Sequence, residues 1–217
     1  QANGMNYSRS IPETKPYDVV VCGGGPAGTA AALSARREGA SVLLLDSQAQ
    51  LGGMATSGLV AQWLGGRTQD GAWVVAGLFR KLAETAAAEG WAKLPLPIPG
   101  RTYQPHGWMP WFAHGVPVDP FGLARLLDRE LTGAGADLLL ETQALDVALS
   151  NGRITHVVAG NKSGLQAIPV RTVVDATGDA DIAARAGCAY DLGREEDHLT
   201  TLSSLIFHVY NVRAREL

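Results

Sequence analysis

Gly23-Gly24-Gly25-Pro26-Ala27-Gly28 sets glycines at the first, third and sixth positions of a short segment. That spacing handles phosphate by geometry rather than by charge. Gly23 permits a tight turn, Gly25 lets backbone approach a pyrophosphate, and Gly28 lets a following helix pack on the preceding strand. The amides and dipole of that helix's N-terminus then face the phosphates. Asp46, eighteen residues beyond Gly28, is a residue type that accepts hydrogen bonds from ribose hydroxyls, and its charge disfavours a 2′-phosphate. A second loop, Leu51-Gly52-Gly53-Met54-Ala55-Thr56-Ser57-Gly58, is built of small residues. It would let backbone pass close to something bulky beyond the pyrophosphate, as a flavin ring requires. The plainer readings are a glycine-rich turn in an ordinary α/β protein and a flexible glycine loop.

Elements must hold these residues in place. Tyr17 to Cys22 (YDVVVC) is a short apolar run ending in glycines, which predicts a strand buried on both faces. Pro26 to Glu38 predicts a helix stopped by Gly39, and Ser41 to Leu45 a second buried strand ended by Asp46. Together they make a βαβ unit with the glycine motif in register. An amphipathic helix is expected within Trp73 to Glu89, with Val75, Leu78, Phe79, Leu82 and Ala86 on its apolar stripe. Seven of the eleven prolines lie between Pro95 and Pro120, so residues 93–118 are expected to be an irregular excursion rather than sheet or helix.

Asp119-Pro120 predicts an N-cap with proline at the first helical position, and Val118 with Leu123 a hydrophobic staple. That helix is expected to stop near Gly133 or Gly135, ahead of a third strand at Asp137 to Glu141. Ala144 to Leu149, Arg153 to Ala159 and Gln166 to Val170 predict a meander turning at Ser150-Asn151-Gly152. Arg171 to Asp175 reads as one more strand, and Ala180 to Ala186 as a short helix with Asp179 as its N-cap and Asp181 as a first-turn acid. Leu202 to Val212 reads as a strand.

Composition narrows the function classes. The chain has 217 residues, 46% of them hydrophobic, and a net charge of −3. That is enough to bury a core, without the basic field of a nucleic-acid binder. No apolar run approaches the ~20 residues of a membrane-spanning helix. The two cysteines, Cys22 and Cys188, have no metal-ligand spacing, and no His/Asp/Glu cluster has one either, so no metal is expected. Residue 1 is Gln, and no targeting segment can be read in the opening residues, so the compartment stays open.

Taken together, DVVVCGGGPAG, GASVLLLD, LGGMATSG and VVDATGDAD resemble the FAD-dependent oxidoreductases of the glutathione-reductase structural type, from about Tyr17 to Gly187. The resemblance implies an α/β, Rossmann-like FAD-binding domain with a parallel sheet, crossover helices and a β-meander. It implies that Gly23, Gly25, Ala27 and Gly28, with Pro26 between them, hold the FAD pyrophosphate. Asp46 would hold the adenosine ribose, with Ser47 beside it. Gly52, Gly53, Met54, Ala55 and Thr56 would run toward the ribityl chain and isoalloxazine, Ala144 would meet adenine, and Thr177 and Gly178 would close over the adenosine side. No histidine falls in GGMATSG, so the FAD is expected to be non-covalent. The absence of a CxxC pair argues against a disulfide reductase.

The implied activity is oxidation or reduction of an organic small molecule by hydride transfer to or from FAD. His106, His114, Arg101, Tyr103, Trp108 and Trp111 cluster in the proline-rich stretch. His114 is the weak candidate for a general base there; the plainer reading is a folded loop whose aromatics cover the core. The family's later Gly-Asp segment, which binds the ribityl chain, does not occur before Leu217. A fragment, a cleavage product or a subunit completed by a second polypeptide is therefore expected. The organisation read is an N-terminal flexible arm (1–16), a βαβ unit (17–59), an aromatic and proline-rich insertion (60–118), the rest of the FAD-binding domain (119–188) and the start of a substrate domain (189–217). Three readings compete with this one: a NAD-dependent dehydrogenase, a nucleotide-binding fragment inactive without a partner, and, within the flavoproteins, a monooxygenase or halogenase.

Overall fold

β-Branched and leucine-rich runs become the central strands of a six-stranded sheet, and the residues between them pack on its faces. The computed structural model describes residues 5–68, 70–95 and 115–209. β1 (Tyr17–Cys22) leads through α1 (Pro26–Arg37) to β2 (Val42–Leu45). A 3₁₀ turn at Gly53–Ala55 precedes β3 (Gln62–Trp63), then come α2 (Gly77–Ala88) and β4 (Val116–Pro117). α3 (Pro120–Gly133) crosses back to β5 (Asp137–Leu139). β6 (Gln143–Ser150), β7 (Arg153–Asn161) and β8 (Gly164–Asp175) follow, and α4 (Asp181–Arg185) ends the regular structure among the described residues.

The sheet order is β5-β2-β1-β8-β7-β6. β5, β2, β1 and the second half of β8 run parallel, whereas β6, β7 and the first half of β8 form an antiparallel meander. The expected strands Gln166 to Val170 and Arg171 to Asp175 are thus one strand. Its first half pairs with β7, and from Val170 onward it pairs with β1. The turn between β6 and β7 puts both Asn151 (φ 49°) and Gly152 (φ 72°) in the left-handed region, the two-residue geometry that suits a twisted hairpin.

Strand alternation divides the core in two. Val21 and Leu44 face α1, α2 and α3 with Leu82, Leu123, Leu126 and Leu131. Val20, Cys22, Leu43 and Leu45 face the other way, with Val157 and Ile168 of the meander and Ile182 of α4. Leu44 is fully buried at the centre of this arrangement. Leu44→Ala is expected to lower unfolding stability by about 2–5 kcal/mol, read from urea denaturation. A loss under about 1 kcal/mol would mean this strand is not in the core.

Several expectations need correction. Residues 12–15 are tied down rather than loose: the amide of Thr14 donates to the Ala167 carbonyl, that of Ala167 to the Pro12 carbonyl, and Lys15 pairs with Asp137 at 2.8 Å. Val75 precedes α2 and is exposed; the buried stripe is Leu82, Ala83 and Ala86. The proline-rich stretch does hold sheet at its end, because β4 pairs antiparallel with β3. Pro117 is tolerated in that two-stranded ladder, its carbonyl accepting from the Lys93 amide at 2.9 Å. Asp119 caps α3 as expected, its Oδ1 accepting from the Gly122 amide at 2.6 Å. Residues 202–209 form no strand, and Leu202, Leu205 and Phe207 are exposed.

Candidate cofactor site

β1, β2 and β8 all end at one edge of the sheet, and β1 is where the chain order reverses. A crevice beyond the carboxyl ends of parallel strands at such a switch point is where open α/β sheets place ligands. Here that crevice is a cleft of about 580 Å³, within the range of pockets that hold small ligands and cofactors.

Its floor is the turn between β1 and α1. The Gly23 amide donates to the Leu45 carbonyl at 2.8 Å. Gly23 has φ 107°, a conformation costly for any residue with a side chain. A β-carbon on Gly28 would overlap the Gly23 carbonyl oxygen, so helix and strand touch there backbone to backbone. Thr29 pins the turn from inside, its hydroxyl donating to the Gly24 carbonyl at 3.1 Å. Gly25 is different: a β-carbon there would meet nothing within 4 Å, because the position faces the open cleft. α1 has no side-chain N-cap, and the amides of Gly25, Ala27 and Gly28 have no protein acceptor among the described residues. Such unpaired first-turn donors, with the positive end of the helix dipole, form an anion site.

Asp46 is 8% exposed at the end of β2. Its carboxylate accepts from the amides of Gly24 and Gln48, which fixes its orientation at the cleft. One wall is Thr142, Gln143 and Ala144, held to the β2 exit by the Thr142 amide donating to the Asp46 carbonyl at 2.8 Å. The opposite wall is Gly53, Met54, Ser57 and Gly58, and Ala176, Thr177, Gly178 and Asp181 close a third side.

That third side is organised by Asp175. Its Oδ1 accepts from the Thr177 hydroxyl at 2.7 Å and the Thr177 amide at 3.1 Å. Its Oδ2 accepts from the amides of Ile182 and Ala183 at 2.9 and 2.8 Å. α4 is therefore capped by Asp175 rather than by Asp179, which lies outside the helix beside a left-handed Ala180. Burial alone would raise the Asp175 pKa, but hydrogen bonds from Ala183, Thr177 and Ile182 outweigh it and hold the carboxyl below its ordinary value. A depressed folded pKa stabilises above the unfolded value of about 3.9, and the gain is lost as pH falls through the folded value. Asp175→Asn is expected to lower the urea midpoint at pH 7, with the gap to the parent closing below about pH 4. A gap that does not change between pH 7 and pH 3 would rule out this role.

Of the residues expected at the cofactor, Gly23, Gly25, Pro26, Ala27, Asp46, Ser47, Gly53, Met54, Ala144, Thr177 and Gly178 line the cleft. Gly28 lies behind it, as packing. Gly52 and Ala55 face a separate apolar hollow. Thr56 is fully buried, its hydroxyl donating to the Leu51 carbonyl at 2.6 Å to brace the loop from within. Sequence reasoning missed Leu45, Gln48, Ser57, Gly58, Thr142, Gln143, Ala176 and Asp181. Each neighbours a strand end or a recognised motif, and the strand-end rule would have found most of them. His114, His106, Arg101, Tyr103, Trp108 and Trp111 lie outside the described residues. Cys22 is buried and its thiol pushed up to about 12, first by burial and then by Asp175. No group of residues that could hold a metal ion occurs among the described residues.

Fold and cleft define a dinucleotide-binding domain of Rossmann type. Residues 18–217 match the FAD dependent oxidoreductase family, and the chain belongs to that family. Its cofactor is therefore FAD, and NAD-dependent dehydrogenase is set aside. A curated relative, digeranylgeranylglycerophospholipid reductase 1 of Methanopyrus kandleri, is 28% identical over 191 residues, covering 85% of this chain and 45% of the relative. The chain thus spans about half the length of that relative. Two solved structures share the fold. A geranylgeranyl bacteriochlorophyll reductase-like protein of Thermoplasma acidophilum has a TM-score of 0.55 at 18% identity, covering 80% of this chain and 42% of that one. L-proline dehydrogenase of P. horikoshii has a TM-score of 0.57 at 19% identity, covering 84% and 58%.

Proposed function

We propose that this chain carries the FAD-binding half of an enzyme that oxidises or reduces an organic small molecule by hydride transfer, with FAD held non-covalently in the cleft. The unpaired amides at the start of α1 carry this reading, because they answer a pyrophosphate where no basic side chain among the described residues lines the cleft. Gly25 and Ala27 donate to the phosphates, Gly28 packs the helix on the strand behind them, and Pro26, which has no N–H, sets the helix start. Asp46 accepts from the adenosine ribose, with Ser47 beside it. Ala144 lies against adenine, and Thr177 and Gly178 cover the adenosine side. Gly53 and Met54 lead the ribityl chain away from the turn, while Gly52, Ala55 and Thr56 shape that loop without touching the cofactor.

FAD, when bound, supplies the site that accepts or delivers a hydride. The chain's own residues orient it and exclude water from its phosphates. The exposed apolar side chains of Leu202, Leu205 and Phe207 favour further polypeptide, in this protein or a second one, that covers them and completes the substrate side.

Heat or acid denaturation of the purified protein tests the cofactor. Free FAD in the supernatant, with none left on the precipitate, is the expected result. Flavin that stays on the polypeptide contradicts the non-covalent reading, and release of NAD contradicts the cofactor itself.

A further inference from the structure

Arg67 is the only buried basic side chain among the described residues, at 7% exposure. A guanidinium has five N–H donors. Here Nε donates to the Gly71 carbonyl at 3.3 Å and Nη1 to the Pro95 carbonyl at 2.9 Å. The group sits 5.5 Å from the centre of the Trp73 ring, and Arg80 approaches the same ring at 5.9 Å. Arg80 is answered by Glu84 at 2.8 Å. Arg67 has no carboxylate within ion-pair distance among the described residues, and nearby Asp70 is engaged by the Thr68 hydroxyl.

Among the described residues this buried charge faces neutral carbonyls and an aromatic ring, an arrangement that is costly and that native structures normally pair. Burial lowers the Arg67 pKa, yet the group stays charged. The donors not taken by carbonyls of the described residues belong to a planar fork that fits a carboxylate or a phosphate. A run of aromatic rings leads from this fork toward the cofactor cleft. Trp73 packs on Phe79 at 5.9 Å, and Phe79 on Trp63 at 5.4 Å. Trp63 and Phe79 wall an apolar hollow of about 330 Å³ that shares Pro26 with the cleft.

We propose that Arg67 binds an oxyanion, the carboxylate or phosphate group of the small-molecule substrate. That the anion belongs to the substrate rests on the flavoenzyme reading above. The site itself rests on a buried guanidinium that has no carboxylate partner among the described residues.

The test uses the purified chain with FAD added, titrated with sodium acetate and separately with inorganic phosphate at matched ionic strength. Tryptophan fluorescence and Tm are followed, because Trp73 touches the guanidinium. A saturable response to one anion is expected, and which anion it is distinguishes a carboxylate from a phosphate substrate. Arg67→Met is expected to abolish the response while leaving Tm at or above the parent value, since an uncompensated buried charge is gone. Arg67→Lys is expected to weaken the response at least about tenfold, because a point charge replaces the fork.

No saturable response to either anion, or one that survives Arg67→Met, overturns the site. So does an Arg67→Met protein with lowered Tm and a parent that ignores both anions, which marks a structural cation. Flavin absorbance in the same samples separates the two readings. Protein that answers anions but binds no FAD contradicts the cofactor reading and leaves this site standing; protein that binds FAD and ignores anions contradicts this site alone.

Discussion

Gly25→Ala is expected to leave the fold intact and to weaken FAD binding by about 10- to 100-fold. Gly25 has φ −68°, which alanine adopts without strain, and its β-carbon would meet no protein atom within 4 Å. Gly→Ala at a compatible position leaves stability unchanged or raises it by about 0.4–1 kcal/mol through the unfolded state. The added methyl instead projects into the cleft, where the pyrophosphate must approach backbone amides closely. Crowding that contact costs about 1–3 kcal/mol. Urea melts and FAD titration of the same preparation measure both arms. Unchanged FAD affinity would mean that the phosphates do not pass Gly25.

Gly28→Ala, three residues on, is expected to do the reverse in order of cause. Its β-carbon would overlap the Gly23 carbonyl oxygen and lie 3.1 Å from the Ala176 β-carbon. The first is backbone held by the sheet, so no side chain can rotate away to make room. α1 must lift from β1, which spoils the packing of Ala32 and Leu33 beneath it. A stability loss of about 3 kcal/mol or more is expected, or a Tm lowered by about 6–12 °C for a chain of this length. FAD binding falls as a consequence of the shifted helix. A Gly28→Ala protein as stable as the parent would show that helix and strand are not in this close contact. The pair of substitutions thus separates cofactor contact from scaffold within one motif.

That contrast also shows what the sequence carries and what it does not. β1, α1, β2 and Asp46 were legible because their signals are local: an apolar run, glycines at set offsets and an acid ending the next strand. The cap of α4 was not. Asp179 stands where a local rule puts a cap, but β8 pairs with β1 and delivers Asp175 with four donors converging on it. Only sheet pairing decides that contest.

β8 looks like two strands in the sequence because it changes partner midway. Antiparallel and parallel pairing share one extended backbone, so no break is needed at Val170. Thr56 teaches a similar lesson. In sequence it continues a loop aimed at the cofactor, while in the fold its hydroxyl is consumed by the Leu51 carbonyl and the side chain is core. The docked residues 12–15 have no periodicity to reveal them, since their order comes from an edge of the meander and from Asp137. Thr142 and Gln143 reach the cleft only because β5 lies parallel to β2.

Calorimetric titration of FAD into the FAD-free protein, repeated with saturating ADP present, tests the central claim most directly. One FAD per chain is expected, with ADP competing for the same site, because on the proposed reading the amides of α1 and the Asp46 carboxylate recognise the half that the two ligands share. No saturable FAD binding, or FAD binding indifferent to ADP, would contradict the account.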